Sequence, residues 1–100
     1  MTDAIKVVAN RLLDGACLIA AYSGCVKNAD VSSMLDHGRE SARRGRWDAT
    51  KVYLKIFLNA TDNGHVMHDD PLVHALRNIV RHVLLQVISM PEKDRELDRK

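Results

Sequence analysis

At 100 residues the chain has the size of one domain, long enough to bury a modest core without disulfide or metal staples. Hydrophobic residues make up 46% and charged residues 28%, which excludes a chain that is mainly disordered. Fifteen basic against 13 acidic residues give a net charge of +2, which excludes a whole-molecule pull towards nucleic acid or anionic membrane; any such binding has to be local.

With two Pro and five Gly, a chain rich in Ala, Leu, Val and Arg favours helices. Cys17 and Cys25 stand eight apart in what reads as one helix. That is about 12 Å, beyond the roughly 4.4–6.8 Å Cα separation of a disulfide. They are expected to be reduced core thiols of a cytoplasmic protein. The stretch ACLIAAYSGC superficially suggests an exported lipoprotein, but Asn10, Arg11 and Asp14 interrupt the apolar run and Asp3 stands where a basic start is wanted. No run approaches the ~20 apolar residues of a membrane-spanning helix, so no membrane partner is expected.

Thr2 or Asp3 starts a first helix with Ile5, Val8, Leu12, Ile19 and Tyr22 at helical spacing and Lys6, Asn10 and Asp14 opposite. Asp14-Gly15 marks either a break or a close helix crossing. Asp30 is the expected N-cap of a second helix, with Val31, Met34, Leu35, Gly38 and Ala42 on one face and Gly45 as its stop. The third helix begins at once, so residues 31–60 read as an αα-hairpin.

That third stretch, Trp47 to Ala60, organises the reading. At about 100° per residue, Asp48, Lys51, Lys55 and Asn59 fall in one stripe about 80° wide. Every other side chain is apolar or small, which predicts a buried central rod. Thr61-Asp62-Asn63-Gly64 ends it, and Asp70-Pro71 starts a long last helix to about residue 90, with apolar residues from Leu72 to Val87 filling a broad face. The closing PEKDRELDRK, residues 91–100, carries eight charges and reads as a solvated extension to a single helical domain over 1–90. The expected fold is all-α, a compact bundle of four to five helices.

Arg39, Arg43, Arg44 and Arg46 form the sharpest polar cluster. Beside a helix turn they suit an acidic partner surface or, as a second reading, nucleic-acid phosphates, although the following helix is too apolar for a recognition helix. His74, Arg77 and Arg81 form a second cationic stripe. Trp47, beside Arg44 and Arg46 at the start of the third helix, has the residue type of a binding anchor. His65, His68 and Asp69 are a possible metal-ligand set, and hence a third reading as a metal-dependent enzyme; their spacing lacks a second matched pair and the acids suit helix capping. No nucleophile elbow, phosphate-cradling loop or Cys-His pair occurs, so no cofactor, metal or catalysis is expected.

The segment GRESARRGRWDATKVYLKIFLNA resembles a single tetratricopeptide-type helical pair, with Gly38, Gly45 and Trp47 near its turn positions and Ala49 near its small-residue position. The resemblance covers about a quarter of the chain and no second copy follows, so it implies a helical hairpin and not membership of that family. The expected function is non-enzymatic binding of another protein, as a regulator, adaptor or inhibitor of a larger assembly. A homodimer is the expected sink for surplus apolar surface.

Overall fold

The computed structural model describes residues 2–62 and 70–91, and among them every regular element is a helix: α1 (Thr2–Ser23), α2 (Ala29–Arg43), α3 (Trp47–Asp62) and α4 (Pro71–Ser89). Each helix packs on the next and α4 returns to α1, so the four close into a ring around a shared core, a helical bundle. The segment 63–69, with His65, His68 and Asp69, and the charged stretch 92–100 lie outside the described residues.

The helix ends follow from local chemistry. Asp70 caps α4, its Oδ1 accepting from the Leu72 amide at 2.8 Å, and Pro71 occupies the first turn, where its missing N–H leaves no gap. Gly45, at φ +76°, stops α2: its amide donates to Ala42 O and that of Arg46 to Ser41 O, the paired bonds of a Schellman turn. The cap of α2 differs from expectation. Asn28, not Asp30, is the N-cap, because its Oδ1 reaches two orphan amides, those of Asp30 and Val31, at 2.9 and 3.3 Å.

Glycine 15 neither breaks α1 nor sits at a crossing; the helix runs straight through it, and a Cβ placed there would meet nothing within 4 Å. The close approach is at Gly38, where a Cβ would lie 3.1 Å from Leu54 Cδ2 and 3.6 Å from Tyr53 Cβ. Beside it, a buried polar knot pins α2 to α3. The Ser41 and Thr50 hydroxyls lie 2.7 Å apart, one donating to the other, and both sit within reach of Gly38 O, at 2.9 and 3.3 Å, which accepts the remaining proton. Such a satisfied network in a low-dielectric setting fixes the register of the two helices.

The core corrects two sequence expectations. α3 is not buried all round: Trp47, Thr50, Leu54, Phe57 and Thr61 form a single inward stripe at alternating three- and four-residue steps, while Val52 and Ile56 are exposed. The two threonines face inward because each hydroxyl has the backbone carbonyl four residues back within reach, Arg46 O at 3.2 Å and Phe57 O at 3.0 Å. In α1 the buried face is Ala9, Leu13, Ala16, Cys17 and Ala20, and the larger Val8 and Tyr22 point away from it. Small side chains let α1 lie close to its neighbours, and Leu35, Leu54, Leu76 and Phe57 supply the bulk. Both cysteines are free and buried, and Cys25 lies beyond the end of α1 instead of inside it.

Candidate functional site

The arginines that cluster in sequence go to two different places. Arg39 and Arg43 turn back to α1 and share Asp14 Oδ1, at 2.7 and 3.2 Å. The hydrogen bond from Arg39 holds the Asp14 carboxyl below its usual range against a partial cost of burial. This clasp ties α2 to α1. Arg44 and Arg46 face the other way, at the turn into α3, where Arg44 also pairs with Glu40 at 3.0 Å, one helical turn back.

Arg44 and Arg46 rim a notch of about 160 Å³ between α2 and α3. Its walls are His37, Glu40, Ala49 and Tyr53, and the His37 and Tyr53 rings lie 5.3 Å apart at a tilt of 31°. The volume falls short of the roughly 300–1,000 Å³ of small-molecule and cofactor sites. It suits one or two side chains of a partner. Ala49 and Tyr53 continue along α3 into Val52 and Ile56, 52% and 45% exposed, so the notch opens onto an apolar strip with cations at one end.

The remaining candidate residues lie elsewhere. Trp47 is 1% exposed and is the largest fully buried side chain, so it packs the core and presents no anchor at the surface. Arg77 is half-buried: its Nε donates to Thr61 Oγ1 at 2.9 Å and a terminal nitrogen reaches Asp62, which fastens α4 to the last turn of α3. There its charge also meets the negative end of that helix. His74 and Arg81 are exposed on α4, away from the notch, with Arg81 bonded to Asn78.

A second depression, about 330 Å³, lies between α1 and α2, with Asp14, Asp36 and Arg39 on its polar side and Leu18 and Ala21 on the other. Cys17 lines it, but burial, with the neighbouring Asp36, pushes its thiol up to about 12. A thiol held protonated is neither a nucleophile nor a metal ligand at neutral pH. Among the described residues no group of three or more His, Cys, Asp or Glu side chains is placed to hold a metal, and no helix is long and apolar enough to cross a membrane.

The sequence points to the cations of the notch and to an apolar part of α3 that its neighbours leave for a partner, but not to His37, Tyr53, Val52 and Ile56 individually. The signal was present: exposure follows from the threonines at positions 50 and 61, which complete a narrow inward stripe only if they face the core. Comparison with protein-family models, with curated proteins and with solved structures returns no match for this chain.

Proposed function

We propose that the protein is a small non-enzymatic binding module that docks another protein, as a regulator, adaptor or inhibitor of a larger assembly, and that it works as a homodimer. The docking surface is the outer strip of α3 with the notch at its end. The observation that carries this reading is the pair of exposed aliphatic side chains, Val52 and Ile56, running into a cavity rimmed by Arg44 and Arg46. Apolar side chains in a strip give area, and cations at one end give orientation. The partner that fits is a helix or extended segment with apolar side chains spaced one turn apart and a carboxylate that enters between the two arginines.

Nucleic acid is the second reading, with phosphate in place of carboxylate. The protein reading is favoured because Arg39 and Arg43 turn away to Asp14, so only the Arg44–Arg46 end of the cluster faces the strip, too short a row to track a phosphate backbone. Purification of interacting proteins with the wild type and with Val52→Asp/Ile56→Asp tests it. A specific protein retained by the wild type and lost on the double variant and on Arg44→Glu/Arg46→Glu is the expected result. Retention of the same set by all three would overturn the assignment, and affinity for nucleic acid falling steeply with salt would favour the second reading.

A further inference from the structure

Helix α1 carries a second stripe that the bundle does not use. Ala4, Val8, Arg11, Gly15, Leu18 and Tyr22 follow one another at alternating four- and three-residue steps, the spacing of a helix–helix seam, and they lie on the side away from the core. Tyr22 is 87% exposed, Leu18 55% and Val8 45%. A soluble surface has no use for a regular seam of this kind unless another helix covers it.

We infer that a second copy of this chain covers it, with the two α1 helices packed antiparallel about a twofold axis so that Ala4 meets the partner's Tyr22, Val8 the partner's Leu18, and Arg11 the partner's Gly15. The inference rests on the homodimeric reading above and deepens it. Two observations favour a second copy. The stripe is self-complementary in size: each pairing sets a large side chain against a small one or two of middle size against each other, as an isologous contact requires. Charge is the second. Arg11 is the single charged residue of the stripe, and among the described residues it pairs with no acid. Opposite Gly15 it finds open space, since no atom lies within 4 Å of where a Cβ would be, and the partner's Asp14 stands next to that glycine. Asp14 uses Oδ1 for both Arg39 and Arg43, so its second oxygen is the acceptor for Arg11 across the seam. A parallel pairing would instead stack Arg11 on Arg11 and Tyr22 on Tyr22.

A seam one helix wide, with one polar layer, gives a reversible dimer.

Sedimentation velocity of the full chain over about 0.1 to 500 µM, the range that brackets a micromolar dissociation constant, separates the outcomes, with circular dichroism confirming that each variant is folded. The wild type is expected to dimerise, Val8→Lys and Leu18→Glu each to remain monomeric, and Val8→Lys/Leu18→Glu to dimerise again, since each new lysine then faces the partner's new glutamate. Positions 8 and 18 lie about 15 Å apart along one helix, so the pair cannot form within a single chain. A wild type that stays monomeric overturns both the dimer and the seam. A dimer indifferent to either single change overturns the seam and leaves the homodimeric reading standing. Monomeric single variants with no recovery in the double variant overturn the antiparallel register.

Discussion

The two interior glycines give opposite forecasts for the same substitution. Gly15 and Gly38 both lie inside helices, so replacing either by alanine gains about 0.8–1 kcal/mol of helix propensity through reduced freedom of the unfolded chain. At position 15 nothing within the chain opposes that gain, because the new methyl meets no atom within 4 Å, and dilution below the dimer range removes the partner's Arg11. At position 38 the methyl arrives 3.1 Å from Leu54 Cδ2, in a helix pair already fixed by the Ser41–Thr50 hydroxyl bond, and overpacking of this kind costs about 1–3 kcal/mol. Gly15→Ala should therefore raise Tm by about 4–8 °C for a domain of this size. Gly38→Ala should fall below it by about 1–3 kcal/mol, ending neutral to destabilised. Thermal melts followed by circular dichroism at low micromolar concentration, with urea titrations for the free energies, read both. Equal effects of the two substitutions, or a loss at Gly15, would refute the assignment of the tight crossing to Gly38.

Two further outcomes follow from burial and charge. Phe57 is fully buried in the inward stripe of α3, and Phe57→Ala should cost about 3–5 kcal/mol in urea unfolding; a loss under about 1 kcal/mol would mean that this face is open. The Asp14 carboxyl is held below its usual range by Arg39, so its contribution is present above the unfolded value near pH 3.9 and is lost as pH falls through the lower folded value. Asp14 is 40% exposed on its side chain, which limits the contribution to about 1 kcal/mol or less. Asp14→Asn should remove that amount at neutral pH and narrow its deficit relative to the wild type as pH falls below about 4; a constant deficit at every pH would count against the clasp.

The helical class was legible in the sequence because its punctuation is local. Asp70-Pro71 and Gly45 act through their own backbone bonds, and no tertiary contact is needed to read them. The faces were less legible wherever small or hydroxylated residues do the packing. In α1 the core is built on Ala9, Ala16 and Ala20, so a search for the larger apolar residues selected Val8 and Tyr22, which lie on the outer seam. In α3 the polarity of Thr50 and Thr61 hid the inward stripe, since a threonine that bonds its own helix carbonyl loses most of its cost of burial. The arginine cluster divides for a different reason. Whether a cation serves a partner or the fold depends on Asp14 and Glu40, and only Glu40 is close in sequence.

The docking surface on α3 is tested most directly by placing a photo-reactive residue at Ile56 and, separately, at Leu85 on α4, and irradiating the protein in its native setting. Leu85, at 61% exposure, is the more accessible of the two, so exposure alone would favour it. A discrete cross-linked partner is expected from position 56, abolished by Arg44→Glu/Arg46→Glu, and none from position 85. Cross-linking from 85 alone, or adducts from 56 that survive loss of both arginines, would contradict it.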